Sequence, residues 1–262
     1  MQSSETSAAV DALFNQSLAK GLQVLCAFNT GHRSLTLGEI AQRTGMSKPS
    51  AQRSVHTLQV LGYIGKHPTT QRFCLLPRVV ELGFHYLDAH PLITVAHSYL
   101  AQLARDSGET ATLSEPCGDH MVYLAQVLTT QHIPVLTPVG TQVPMYASSC
   151  GRAYLSQLPE AAVHDWLARM ERPVRTRATV TEVPAIVQRL QLCRDKGYAT
   201  NCEELFLGDM GLAAPVLNVR GHVVGAVHVA PPTSRWNMAD AERELGPLVV
   251  ACARAISRLA PL

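Results

Sequence analysis

Hydrogen-bonding and charged side chains crowd one short segment of the chain, between residues 47 and 57. The set comprises Lys48, Ser50, Gln52, Arg53 and His56. Ala51, Val55 and Leu58 recur among them at helical spacing, so a helix here would bury one face and expose the polar residues. Guanidinium, amide and hydroxyl groups on an exposed helix are suited to reading base edges in the DNA major groove. We expect at least two of the last four polar residues to contact bases, and Lys48 to contact a phosphate.

A second short helix is predicted immediately before this segment. Thr36 is a candidate N-cap, and Glu39 three residues later completes a capping box. Gly45 fits the left-handed position that ends such a helix. Ser47 can cap the following helix, and Pro49 is tolerated in its first turn. The pattern therefore predicts two helices joined by a tight turn.

The flanking sequence predicts the rest of a winged helix-turn-helix. Leu18, Leu22, Leu25 and Phe28 recur at helical spacing and indicate a helix over about 17–29. Residues 63–76 have the form of a hairpin, with Pro68 and polar residues at its tip. On such a wing, cations would meet phosphates or an adjacent minor groove. The candidate wing contacts are Lys66, His67, Thr69, Thr70 and Arg72.

The charge distribution agrees with DNA binding confined to this region. The whole chain of 262 residues carries a formal charge of +2. Residues 12–80 hold eight basic residues and one acidic residue, a net +7, which leaves −5 for the remainder. A hydrophobic content of 47% and a charged content of 16% indicate a globular chain. The length allows one large domain or two modest ones.

The N-terminus and the cysteines bear on location. The first residues lack a basic region and an apolar signal core, and no apolar run is long enough to cross a bilayer. Seven scattered cysteines without a Cys-x-x-Cys pair argue against a structural zinc site or a disulfide framework. We expect a cytoplasmic protein with free thiols and no membrane partner.

The second half of the chain alternates between strand and helix patterns. Strands are predicted at 110–115, 120–129, 133–138, 198–201, 210–218 and 223–230, and helices at 92–107, 149–158, 160–170, 181–197 and 239–259. This gives a flexible arm over 1–16, a winged helix-turn-helix over 17–76, a linker helix over 77–91 and a second domain over 92–262.

Five segments in this order resemble the IclR (isocitrate lyase regulator) family of bacterial transcription factors. They are Ser17–Leu25, Leu37–Tyr63, Arg72–Gly83, Gly140–Leu155 and Gly197–Glu204. The resemblance implies an α+β protein: an N-terminal winged helix-turn-helix, a linker helix and a C-terminal GAF-like α/β effector-binding domain. It also implies a homodimer or homotetramer that binds double-stranded operator DNA and activates or represses a catabolic operon. The opening of the first segment is most similar to regulators of aromatic-acid catabolism.

The resemblance also implies an effector site in the second domain. Residues matching the family pattern are Val143, Ser149, Cys150, Asn201, Glu203, Asp209, Gly211 and His228, with Ala230 beside the last. Many relatives have an acid in place of Asn201 and a small residue in place of His228, so this site would be more polar than usual. Separately, Ser148–Gly151 opens a predicted helix whose free N–H groups could receive a carboxylate. A small organic acid is therefore the expected effector; the alternative for His228 is a structural role on its strand.

Four other interpretations stay open at this point. Cys150, His228 and Asp209 are zinc-ligand types but lack short ligand spacing. Cys150 and His228 could be the nucleophile and base of a hydrolase with a basic accessory domain, since a helix N-terminus lowers a thiol pKa. Cys150 or Cys202 could sense redox state, and a ligand-blind architectural DNA binder would use only the first 76 residues. We favour a ligand-responsive regulator that is not an enzyme and uses no cofactor or metal.

Overall fold

The computed structural model of the protein describes residues 13–29, 31–132 and 135–260. The chain forms two compact units, the first ending at Asp88 and the second beginning at Ala89. Most of the predicted flexible arm, residues 1–12, lies outside the described residues. In the described ranges no helix is long and apolar enough to cross a membrane.

The first unit is a winged helix-turn-helix, as predicted. Its elements are α1 (Gln16–Cys26), α2 (Leu37–Thr44), α3 (Lys48–Val60), β1 (Ile64–Lys66), β2 (Phe73–Leu75) and most of α4 (Val79–Ala89). The two strands pair antiparallel as the wing, with Ile64 opposite Leu75. Val24, Ile40 and Val55 of the three helices pack with Ile64 and Phe73 of the wing in one small core.

The predicted caps of α2 are confirmed. The Thr36 N–H donates to Glu39 Oε2 over 2.7 Å, and the Glu39 N–H donates to Thr36 Oγ1 over 3.2 Å. Gly45 ends the helix with a φ of 66°. Ser47 is the N-cap of α3, but its hydroxyl makes no capping hydrogen bond. Pro49 removes one of the two N–H groups that a capping hydroxyl reaches.

Helix α1 is shorter than predicted, and part of its apolar face is exposed. The helix stops at Cys26 rather than residue 29. Val24, Ala27 and Phe28 are buried, whereas the Leu18 and Leu22 side chains are 63% and 50% exposed. Leu18 and Leu22 therefore lie on a part of α1 that this unit leaves open to solvent.

The second unit is a six-stranded antiparallel sheet with helices on both faces. Its elements are α5 (Pro91–Ser107), β3 (Ala111–Cys117), β4 (His120–Val127), β5 (Gln142–Pro144), α6 (Ser149–Leu155), α7 (Glu160–Arg169), α8 (Val183–Lys196), β6 (Ala199–Cys202), β7 (Met210–Leu217), β8 (Val223–Val229) and α9 (Met238–Ser257). The strand order is β5-β4-β3-β8-β7-β6. Helices α5 and α9 pack on one face, and α6 to α8 pack on the other.

Two predicted elements of this unit are wrong. Residues 135–138 form no strand, and 133–134 lie outside the described residues. The third strand of that sheet edge is instead β5, which pairs Met121 with Val143. The apolar run at 133–138 holds two prolines, which cannot donate to a strand ladder. Helix α6 ends at Leu155 rather than residue 158, four residues before Pro159 begins the next capping turn.

Candidate DNA-binding surface and effector cavity

The exposed side of α3 forms a continuous polar surface with the wing. Gln52 and His56 border two adjoining shallow grooves, one beside Pro49 and Arg53 and the other facing Lys66 of the wing. Lys48, Gln52, Arg53 and His56 are all exposed. The same surface includes Gln59 and Gln71, which sequence reasoning missed. Gln59 lies seven residues after Gln52 and so on the same helix face, a signal that was available.

Ser50 turns toward the opposite side of α3. It is half-buried and, with Arg53, borders a broad groove of about 710 Å³ whose apolar lining includes Leu18, Leu22 and Leu82. The four predicted base-reading residues therefore do not all lie on the same surface. Gln52 and His56 lie at the centre of the polar surface, Arg53 lies at its edge, and Ser50 faces α1.

The wing residues differ in their freedom to meet DNA. Lys66, His67 and Thr70 are exposed, and the His67 ring accepts the Thr70 N–H over 3.2 Å, which shapes the wing tip. Arg72 is bound within the unit instead. Its guanidinium pairs with Glu39 over 2.8 Å and donates to the Ser34 carbonyl over 2.8 Å. Arg72 thus ties the wing to the N-terminus of α2.

A small polar cavity lies in the second unit, on the sheet face that carries α6. Its volume is about 20 Å³, enough for roughly one water molecule. The lining residues are Tyr123, Val135, Thr137, Ser148, Ser149, Cys150, Asn201, Leu205, Phe206, Asp209, Met210, Gly211, His228 and Ala230. The structure therefore brings six of the eight predicted effector residues together around one space that must widen before an organic acid can enter.

The other two predicted residues lie elsewhere. Val143 is buried in the hydrophobic core between β5 and α6, where it packs with Met121 and Met145. Glu203 folds its carboxylate back onto its own loop, where it accepts the Gly208 N–H over 2.8 Å. Its φ of 53° is left-handed and sets the start of that loop. Leu205 and Phe206 of the same loop cover one side of the cavity.

The N-terminus of α6 is less open to a carboxylate than the sequence suggested. The Ser149 N–H donates to Asn201 Oδ1 over 3.3 Å, and the Gly151 N–H donates to Ser148 Oγ over 3.1 Å. These partners satisfy two of the N–H groups that the prediction left for a ligand. Asn201 is thus a cap for α6 as well as a wall of the cavity.

Gly211 allows α6 and β6 to approach each other closely. A Cβ atom at this position would lie 2.4 Å from Asn201 Oδ1 and 2.5 Å from Ser149 Oγ. Gly151 has a similar role, since a Cβ there would lie 2.2 Å from the Met145 Cα. These two glycines therefore make room for neighbouring protein atoms.

A buried ion pair that sequence reasoning missed holds α6, the helix that carries Ser149 and Cys150 of the cavity lining. Arg152 is fully buried, and its two terminal nitrogens donate to the two oxygens of Glu204, each over 2.6 Å. Arg152 also donates to the Tyr146 and Thr200 carbonyls. The pair joins α6 to the loop after β6. Its two members are 52 residues apart, so no local pattern connects them.

Tyr123 was also missed, because a bulge changes the strand alternation. The register between β3 and β4 shifts after Leu113, which pairs with Ala125, to Ser114, which pairs with Tyr123. Ala125 therefore packs toward α5 and α9, whereas Tyr123 packs toward α6. Its ring lies 4.8 Å from the His228 ring, measured between centroids. A strictly alternating strand would place Ala125 and Tyr123 on the same face.

Burial controls the protonation of the cavity. It raises the pKa of Asp209 from an ordinary 3.8 to about 7, and it lowers the pKa of His228 from 6.5 to about 4. Both groups are driven toward their neutral forms because the charged form loses hydration. His228 Nδ1 has no hydrogen-bond partner among the described residues.

Burial also raises the pKa of the Cys150 thiol, against the smaller lowering by hydrogen bonds from Ser148 and Ser114. The expectation that the helix N-terminus lowers this pKa is therefore wrong, because Cys150 is only 1% exposed. Among the residues that the structure describes, no three histidine, cysteine or acidic side chains are grouped to hold a metal ion.

Comparison with known proteins agrees with both halves of this description. Residues 17–68 match the IclR helix-turn-helix domain, and residues 84–258 match the bacterial transcriptional regulator IclR C-terminal domain. The chain belongs to the IclR family. IclR-family proteins are DNA-binding transcriptional regulators, and the winged helix and the sheet domain of this chain are the corresponding parts.

Individual members of the IclR family align with almost the whole chain. The Pca regulon regulatory protein of Pseudomonas putida is 31% identical over 93% of this chain and 84% of its own length. The glycerol operon regulatory protein of Streptomyces griseus is 33% identical over 93% of this chain and 95% of its own length. A regulator structure from Rhodococcus sp. RHA1 has a TM-score of 0.80, with 31% identity over 94% of this chain and 98% of its own.

Proposed function

We propose that this IclR-family regulator reads its operator chiefly with Gln52, His56 and Arg53 of α3. These side chains are exposed on one polar surface, where amide, imidazole and guanidinium groups can reach base edges. Lys48 and Lys66 contact phosphates at its two ends, and His67 and Thr70 at the wing tip contact the backbone or minor groove. Ser50 and Arg72 have structural roles, because one faces α1 and the other pairs with Glu39.

The DNA-binding form is a homodimer that acts in the cytoplasm. The apolar groove beside α1 and the exposed α4 side chains Val80, Leu82 and Phe84, which are 53–70% exposed, form an apolar surface of the kind that marks an interface. A twofold axis there would place two α3 helices in major grooves about 34 Å or a multiple apart. The proposed domain limits are 17–76 for DNA binding, 77–91 for the linker helix and 92–262 for effector binding.

The effector is a small organic acid of the aromatic class, bound in the cavity beside α6. A relative from Acinetobacter baylyi, the p-hydroxybenzoate hydroxylase transcriptional activator, is 30% identical over 83% of this chain and 82% of its own length. Support from this structure is the polar lining by Ser149, Asn201 and His228 between apolar side chains. Because the cavity of about 20 Å³ is too small for such an acid, binding selects a conformation in which the loop bearing Leu205 and Phe206 has moved.

Ligand binding, and not hydrolysis, is the chemistry that the cavity favours. A cysteine hydrolase needs a thiolate with a neighbouring base. Here burial raises the pKa of the Cys150 thiol and lowers the pKa of His228 to about 4, so the thiol is a poor source of thiolate and the imidazole is a weak base. The observation that carries the proposal is the presence, in one chain, of an exposed polar α3 surface and a closed polar cavity.

A thermal-shift screen tests the effector part of this proposal. The panel contains 4-hydroxybenzoate, benzoate and other aromatic acids beside pyruvate and glyoxylate. A ligand at 100 times its Kd adds about 2.7 kcal/mol of stability. We expect a raised Tm with aromatic acids only, and its loss when Cys150→Trp or the milder Ala230→Leu fills the cavity. No shift with any acid, or an unchanged shift in both variants, would place the site or the ligand class elsewhere.

A further inference from the structure

Among the residues that the structure describes, the candidate effector cavity is lined by a carboxylate and by no balancing cation. Asp209 is the acidic member of the described lining, and none of those lining residues is lysine or arginine. The buried guanidinium of Arg152 lies on α6, the helix that also carries Cys150, but both its terminal nitrogens are committed to Glu204 at 2.6 Å. An anionic effector would therefore meet a negative group without a positive partner.

Two of the N–H groups at the N-terminus of α6 are not available to neutralise an anion. The Ser149 and Gly151 N–H groups of α6 already donate to Asn201 and Ser148. The groups that face Asp209 from other elements are Tyr123 of β4, Cys150 of α6, Cys202 of β6 and His228 of β8. Each of these side chains is neutral or negative near neutral pH, and Glu203 on the same loop adds a second carboxylate.

We propose that the binding of an acid effector takes up one proton from solvent, and that Asp209 in its protonated form donates a hydrogen bond to the effector carboxylate. The inference rests on the proposed function, because it assumes that the effector is an organic acid. It goes further by assigning Asp209 as the residue that selects for acids and makes their affinity depend on pH.

Binding the effector carboxylate beside an ionised Asp209 would be energetically unfavourable. Two ionised carboxylates in one water-poor cavity repel each other, and such pairs hold a shared proton instead. Burial already raises the pKa of Asp209 to about 7, so protonation at neutral pH requires little work. Above that pH, each bound effector must draw its proton from the buffer. The affinity should therefore fall about fivefold between pH 7 and pH 8, and about tenfold per pH unit beyond that.

Calorimetric titration with 4-hydroxybenzoate and with benzoate tests this proposal on the full-length protein. Heats measured at pH 6, 7 and 8, in buffers of different ionisation enthalpy, give both the Kd and the number of protons taken up. We expect close to one proton at pH 8, and a Kd about fivefold weaker at pH 8 than at pH 7. Asp209→Asn keeps a hydrogen-bond donor without the charge, so its affinity should be independent of pH with no proton uptake.

The matched control is Asp165→Asn, which removes an exposed carboxylate from α7 and should retain the wild-type pH dependence. A pH-independent wild-type Kd without proton uptake would overturn the inference while leaving an acid effector in place. Uptake that persists in Asp209→Asn would overturn the assignment to Asp209. If 4-hydroxybenzoate, benzoate and pyruvate all fail to bind even at pH 6, the acid effector and this inference fall together.

Discussion

The α3 surface and the candidate effector cavity differ in how they hold polar side chains: the first exposes them to solvent, and the second buries them. On α3, Gln52, Arg53 and His56 are exposed and hydrated, so they need no partners and their positions follow from helical periodicity. In the cavity, Asp209 and His228 are partly or fully buried, and their protonation is set by residues from distant strands. The exposed groups of α3 can keep their charge in water, whereas burial shifts Asp209 and His228 toward their neutral forms.

The largest expected effect comes from breaking the buried ion pair between Arg152 and Glu204. Arg152→Met removes both 2.6 Å donors of the buried Glu204 carboxylate and leaves it only Arg189 at 3.5 Å and the Val180 N–H, which should lower the free energy of unfolding by about 3–5 kcal/mol. Both tryptophans, Trp166 and Trp236, lie in the second unit, so tryptophan fluorescence during urea unfolding follows that unit alone.

Arg189→Met is the control for this change. Arg189 lies 3.5 Å from Glu204, but its side chain is 40% exposed. A partly solvated pair of this kind is worth about 1 kcal/mol or less. Equal losses in the two variants would show that Arg152 has no special structural role.

The second prediction concerns the stability of the cavity as a function of pH. The pKa of Asp209 is higher in the folded protein, about 7, than its ordinary 3.8. The folded state therefore binds the proton more tightly, and the wild type loses about 1.4 kcal/mol of stability for each pH unit between these two pKa values. Asp209→Asn removes the titrating group, so it should not show this loss. Its free energy of unfolding relative to that of the wild type should therefore increase between pH 5 and pH 8.

His228 changes the stability of the protein with pH in the opposite direction, but it does not affect the comparison between the two proteins. Its lowered pKa of about 4 makes the folded state more stable as pH rises from about 4 to 6.5. Both proteins share that contribution, so it cancels in the difference between them. Urea unfolding followed by tryptophan fluorescence at pH 5 and pH 8 gives the measurement. A stability difference that is the same at both values would contradict the burial of the Asp209 charge.

The third prediction moves to the α3 surface. Gln52→Ala should cost about 1–3 kcal/mol of binding to a preferred duplex and much less on a scrambled one. Arg53→Ala should also weaken specific binding while leaving effector affinity unchanged, because the effector cavity lies in the other unit. Fluorescence anisotropy on the two duplexes measures both effects. Gln42→Ala, an exposed glutamine on α2, is the control and should behave as the wild type.

The smallest expected effect separates the two wing cations. Lys66→Ala should weaken binding to all duplexes alike and reduce the slope of log K against log salt by about 0.9. Arg72→Ala should instead lower the stability of the first unit, because Arg72 joins the wing to Glu39 and Ser34. If Arg72→Ala changed the salt slope as Lys66→Ala does, Arg72 would be a phosphate contact after all.

The same contrast explains how much could be predicted from sequence. The α2 caps, the wing and the order of the later strands and helices follow from local signals such as Thr36, Glu39 and Gly45, whose partners lie within a few residues. The family resemblance supplied six residues that line the cavity. Local patterns did not predict the orientation, pairing or burial of side chains whose partners lie in distant parts of the chain.

Three of these failures have clear physical causes. Tyr123 faces the cavity because a bulge in β4 switches the strand alternation. Arg152 and Glu204 meet across 52 residues, so neither could be distinguished in the sequence from an exposed charge. Cys150 lies at a helix N-terminus, but its complete burial outweighs the helix dipole and raises the pKa of its thiol.

The most direct test of the proposed regulation is whether an acid in the cavity changes the affinity of α3 for DNA. A duplex selected from a random library by the full-length protein is titrated at pH 6.5, with and without saturating 4-hydroxybenzoate. We predict a change of at least about fivefold in Kd, lost in Ala230→Leu and absent for the scrambled duplex. An unchanged Kd, with acid binding confirmed by calorimetry in the same sample, would contradict ligand control of DNA binding.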